Sequence, residues 1–111
     1  MQGFLCLCVA FFVIIVCIAL NIAYNKGVTP LRVACGKGHL EVASLLLANG
    51  AAVDQASNDG VTPLYAACND GHAQVASLLL TSGAAVDQAN FFGHTPLYAA
   101  CSEGHTEVAS L

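Results

Sequence analysis

Gly60 to Ala89 reads GVTPLYAACNDGHAQVASLLLTSGAAVDQA, and the same order of residues stands 33 positions to either side of it. Thr29-Pro30-Leu31, Thr62-Pro63-Leu64 and Thr95-Pro96-Leu97 mark the period, and Gly38-His39, Gly71-His72 and Gly104-His105 follow at a constant distance. A fixed period of this length denotes stacked supersecondary units, none of which can bury its apolar face alone. The expected fold is therefore an open array, and any function has to lie on its surface.

Local chemistry supplies the elements of one unit. Thr before Pro is a helix N-cap followed by the one residue whose missing N–H costs nothing at the first helical position. Short helices are expected from Pro30, Pro63 and Pro96, carrying small apolar residues such as Ala34 and Cys35, and stopping at Gly38, Gly71 and Gly104. A second helix follows each His. Its first copy carries Leu40, Val42, Ala43, Leu45, Leu46 and Leu47 as a broad apolar face and ends at Gly50, with Gly83 in the same place one unit later. Residues 51–60 and 84–93 then read as short extended pieces with a hairpin-like turn between units, the first through Asn58-Asp59-Gly60. Helix pairs are expected near 30–48, 63–81 and 96–111.

The copies resemble ankyrin repeats. The stretches that carry the resemblance are GVTPLRVACGKGHLEVASLLLANGAAVDQA from Gly27, the Gly60 copy quoted above, and GHTPLYAACSEGHTEVASL from Gly93, and their T-P-L, A-C, G-H, V-A-S-L-L-L and G-A-A-V-D blocks keep the family's order. The resemblance implies an all-α helix-turn-helix solenoid with hairpin-like turns, here preceded by a hydrophobic helix. It also implies units that bind other proteins and, with few exceptions, do no chemistry. The domain reading is a hydrophobic segment over 1–23, repeats over 24–56 and 57–89, and a third over 90–111 that stops inside its second helix, since Leu111 is the counterpart of Leu78. The array reads as a fragment of a longer one. Low stability is expected, because repeat arrays need about three units and polar end caps.

The N-terminal segment is different in kind. Every residue from Phe4 to Leu20 is apolar, and Ile22, Ala23 and Tyr24 extend the run past Asn21. As a helix the stretch reaches roughly 30 Å, the thickness of a bilayer's hydrocarbon core. A membrane helix over Phe4 to Ala23 is the leading reading. A cleaved signal peptide fits less well, since the run is longer than the usual apolar core and no small-x-small site closes it. Lys26, Arg32 and Lys37 follow the run and no Lys or Arg precedes it, so the positive-inside rule makes this a single-pass membrane protein with cytoplasmic repeats. Repeat-like sequence nevertheless begins before the run ends, with Ala19, Asn21 and Ala23 in register with Ala52, Asp54 and Ala56. A buried capping helix stays open, as does non-coding sequence translated in a mistaken gene model, which would leave the repeats simply cytoplasmic.

Charge excludes one class of partner. The net charge is −4, distributed as +1 over residues 24–56, −3 over 57–89 and −2 over 90–111. With no basic stripe, binding to a phosphate backbone has no support, and nucleic acid is not an expected partner.

The polar residues that recur at the period read as scaffold. Cys35, Cys68 and Cys101 fall on the inner side of the first helix as small buried hydrophobes, too far apart for disulfides at about 10 Å between units. Cys6, Cys8 and Cys17 in the apolar run form no metal or disulfide pattern. Each Cys-x3-His pair offers two ligands at most, whereas a structural zinc needs four converging at about 2.3 Å; the His of each Gly-His is expected to bond backbone at the turn. Ser44, Ser77 and Ser110 recur as well, so none stands out as a nucleophile with its base. No catalytic residue, cofactor, metal or small-molecule substrate is expected. After Thr-Pro-Leu, where the family commonly has His, this chain has Arg32, Tyr65 and Tyr98. A Tyr hydroxyl can replace part of that bonding, and Arg32 suits a unit with one side open.

Function is expected where the copies disagree. The resemblance implies that partners are gripped by hairpin tips and the exposed ends of the first helices, along a concave face. The matching positions are Asn25-Lys26, Asn58-Asp59 and Phe91-Phe92 at the tips, with Val28, Val61 and His94 beside them, and Gly36-Lys37, Asn69-Asp70 and Ser102-Glu103 on the helices. Phe91 and Phe92 replace polar pairs and are the anchor candidates; the alternative is that one ring folds back onto Tyr98 or the preceding unit. The sequence thus reads as a membrane-anchored, non-enzymatic protein-binding scaffold. The alternative is a targeting arm or fragment of a larger enzyme or channel whose active part lies outside the chain.

Overall fold

A computed structural model describes residues 25–111, all of whose regular structure is helical. A single 3-10 turn at Asn25–Gly27 leads into α1 (Pro30–Gly36), α2 (Leu40–Ala48), α3 (Pro63–Asn69), α4 (Ala73–Thr81), α5 (Pro96–Ser102) and α6 (Thr106–Ala109). The odd-numbered helices form one row, α1 on α3 on α5, and the even-numbered helices a second row, α2 on α4 on α6, with each pair closed by its own turn.

The caps fall where the repeated threonines and glycines put them. Thr29, Thr62 and Thr95 accept hydrogen bonds from the amides of Arg32, Tyr65 and Tyr98 at 3.3, 3.1 and 3.2 Å, which satisfies one of the donors a helix start leaves open. Gly50 closes α2 with φ 95°, and the Ala51 N–H reaches back to the Leu46 carbonyl at 3.0 Å. That six-to-one bond with a left-handed glycine is the motif that satisfies a helix's last carbonyls. The turns between units are hairpin-like without forming strands: the Ser57 N–H donates to the Val61 carbonyl at 3.0 Å and the Gly60 N–H to the Ser57 carbonyl at 2.9 Å.

The core runs between the two rows and consists of small residues with a few leucines. Leu31, Ala34, Cys35, Leu64, Ala67, Val75, Ala76 and Leu79 are buried in one continuous cluster. Burial pushes the Cys35 thiol up to about 12 and the Cys68 thiol up to about 11, because a thiolate is poorly solvated there. Each Leu fully removed from water contributes about 2 to 3 kcal/mol.

Three expectations need correction. The apolar face expected on α2 is narrower than its sequence: Ala43 is buried and Leu40, Leu46 and Leu47 are partly covered, but Val42 and Leu45 are exposed. Cys101 is exposed, unlike Cys35 and Cys68, because it lies on the side of α5 away from α3. The third concerns the membrane. The stretch Phe4 to Ala23 lies outside the described residues, and so do Cys6, Cys8 and Cys17. Among the described residues no helix is long and apolar enough to cross a membrane. The longest, α2 and α4, have nine residues, about half the length that roughly 30 Å of hydrocarbon requires. The single-pass localisation is corrected accordingly.

Candidate interaction surface

The histidines of Gly-His set the spacing of the odd row. His72 Nε2 lies 3.1 Å from the Gly36 carbonyl oxygen, and His105 Nε2 lies 3.0 Å from that of Asn69. Each ring thus bonds the preceding unit and not its own turn, holding the C-terminal ends of α1, α3 and α5 in line. The glycines are part of this contact. At φ 74° Gly38 is left-handed, and a Cβ there would stand 2.6 Å from the His72 ring; Gly71 and His105 repeat the arrangement.

The hairpin tips are tied in a parallel way. The Asn58 N–H donates to the Lys26 carbonyl at 2.8 Å, and the Phe91 N–H to the Asp59 carbonyl at 3.0 Å. Lys26 itself is left-handed at φ 66°, the only such non-glycine among the described residues. One level deeper, the Asp54 carboxylate accepts the Ala85 amide at 2.9 Å. Tips and helix ends therefore form two adjacent edges with fixed spacing, on which the variable side chains are displayed.

The candidate residues fall along these edges. Asn25 and Lys26 occupy the first tip, with Lys26 exposed, and Asn58 and Asp59 are exposed on the second. Lys37, Asp70 and Glu103 follow the ends of α1, α3 and α5, all exposed, and Ser102 is exposed beside Glu103. Asn69 is half-buried: its carbonyl holds His105, and its side-chain amide donates to Asp70 at 3.2 Å. His94 is also half-buried, stacked on Tyr98 with ring centroids 4.1 Å apart and planes 19° from parallel.

Phe91 and Phe92 are the most exposed large apolar side chains among the described residues, at 78 and 79%. Phe91 leans toward Gly60, where a Cβ would meet its ring at 2.9 Å, and Phe92 stands 6.4 Å from His94. Neither ring is buried by these contacts. Their tip is held by Asn90, whose Oδ1 accepts the Phe92 amide at 2.9 Å and the His94 amide at 3.1 Å. Ser57 occupies the same place one unit earlier, and its hydroxyl is buried without a hydrogen-bond partner. Sequence reasoning missed Asn90 and Asp54. For Asn90 a signal exists, since Asn followed by a Gly three residues on favours a turn closed by its own side chain; for Asp54, which bonds a distant unit, no local signal does.

A family model for ankyrin repeats in three copies matches residues 5–90 and, overlapping, 49–111. The chain belongs to the ankyrin-repeat family. The match begins inside the apolar run, so that segment is aligned as repeat sequence and the membrane-anchor reading gains no support from it. No curated protein matches the chain. Ankyrin repeats are generally protein–protein interaction modules and typically carry no enzymatic activity.

Proposed function

We propose that the chain is a protein-binding scaffold, with units at 24–56, 57–89 and 90–111, whose recognition surface is the row of tips and first-helix ends just described. The observation that carries this reading is the pair of open rings at Phe91 and Phe92. Large apolar side chains held outward by a bonded turn are the usual anchors of an interface, and the polar groups around them act as its rim. Asn58 and Asp59 supply that rim beside the rings, Asn69, Asp70, Ser102 and Glu103 supply it along the ends of α3 and α5, and Asn25, Lys26 and Lys37 at the far end of the array. His94, stacked on Tyr98, stands between that ring and Phe92.

The experiment is a binding titration of the double variant Phe91→Asn, Phe92→Asp beside its thermal melt. Loss of about 2 kcal/mol or more of binding is expected if both rings are anchors. The melt should hardly move, because Asn58-Asp59 already occupy the equivalent turn. Unchanged affinity would discard the anchors, and lost helicity would show that the rings belong to the core.

A further inference from the structure

The surface just proposed is charged in one sense at one end and in the other at its opposite end. After Lys37 the sequence has seven carboxylates and no Lys or Arg. Along the row, Lys26 and Lys37 occupy the first unit, whereas Asp59, Asp70 and Glu103 occupy the second and third, all exposed. The aromatic patch lies wholly at the acidic end. Asp59 adjoins it directly, since its carbonyl accepts the Phe91 amide at 3.0 Å. Tyr98 continues the patch from the tip onto α5, half of its surface open to solvent.

Open ring faces beside the exposed Asp59, with Asp70 and Glu103 farther along the same surface, suit one kind of side chain. An arginine guanidinium stacks flat on an aromatic face while its edge takes a carboxylate in two parallel hydrogen bonds. A lysine ammonium has the charge without the planar fork, and an acidic or purely aliphatic segment would meet a carboxylate rim left without counter-charge. We infer that the partner presents a segment with more than one arginine, one guanidinium stacked on the Phe91–Phe92–Tyr98 patch beside Asp59 and others paired with Asp70 and Glu103 farther along, at the ends of α3 and α5. This rests on the protein-binding reading above and specifies its partner.

The test uses the whole chain with two probes: fluorescent peptides of alternating Leu and Arg, with Lys or Glu in place of Arg, and a displayed library of random peptides. The Arg peptide is expected to bind about tenfold tighter than the Lys peptide, with the Glu peptide not binding and affinity falling as salt rises. Phe91→Ala with Phe92→Ala, and separately Asp59→Asn with Asp70→Asn and Glu103→Gln, should each lower Arg-peptide affinity by about tenfold or more. Circular dichroism of every variant checks that the fold is kept. Arg-peptide binding that survives loss of the rings would overturn the inference, since net negative charge alone would explain it. Library peptides that need the two rings but show no enrichment in arginine would overturn it too, while leaving the scaffold reading intact. A folded chain that selects no peptide at all would overturn both.

Discussion

Leu64 and Leu97 are the same residue at the same place in successive units, yet Leu64 is 2% exposed and Leu97 55%. Val75 and Val42 repeat the contrast on the second row, at 2 and 51%. Local sequence is nearly constant across these pairs, so burial here is conferred by one adjacent unit and not by the unit itself: the leucine is covered by the unit that follows, as at Leu31 with 1%, and the valine by the unit that precedes, as at Val108 with 6%. Helices α3 and α4 are covered on two flanks, whereas the outward sides of α5 and α2 are not covered to the same degree. In a linear array each unit's stability is its own contribution plus its interfaces, and the exposures show on which side chains the second term acts.

The largest expected effect tests that division. Leu64→Ala should destabilise by about 2 to 5 kcal/mol through lost transfer energy and a cavity, and Leu97→Ala by about 1 kcal/mol or less. Urea unfolding of the two variants reads the difference. Equal losses would show that α5 is as well covered in solution as α3, which would end the comparison.

Glycines sharpen it next. Gly71 and Gly104 are both left-handed, at φ 79° and 74°, but a Cβ on Gly71 would strike the His105 ring whereas one on Gly104 meets nothing within 4 Å. Gly104→Ala should cost about 1 kcal/mol of backbone strain alone. Gly71→Ala should cost that plus displacement of the ring and its bond to Asn69, about 2 to 3 kcal/mol in all. Matching melting shifts would mean that the His bond contributes nothing.

The thiols give a third contrast. Exposed Cys101 should react with a maleimide in the native protein, and Cys35 and Cys68 only on unfolding, as read by peptide mapping. Their raised folded-state values also fix a pH window. The contribution is fully present below the unfolded value of about 9 and is lost as pH rises toward the folded values of about 11 and 12, because unfolding then releases protons. Melting temperature should fall over that range, and less in a Cys35→Ala, Cys68→Ala variant.

The smallest effect concerns the two tips. Ser57→Ala removes a buried hydroxyl without a partner and should leave stability unchanged or raise it by about 1 kcal/mol. Asn90→Ala, in the equivalent place, strips two amides of their acceptor; that of Phe92 is exposed and that of His94 only half-buried, so the loss should be about 1 kcal/mol, seen as a lower melt.

Much of this molecule is legible along the chain. Thr-Pro starts, Gly stops and the 33-residue period determine the helices, their caps and the order of units, because each depends on φ, on a missing N–H or on a bond within a few residues. Position within the period also singles out Phe91 and Phe92, by contrast with the polar pairs before them. Only the tertiary structure decided which repeats of one residue are buried, that His72 and His105 bond the unit before their own, that Asp54 reaches Ala85, and that Asn90 holds the aromatic tip outward. Those outcomes depend on contacts between units that share nearly the same sequence, and a periodic sequence carries no local mark of what lies on either side of each copy.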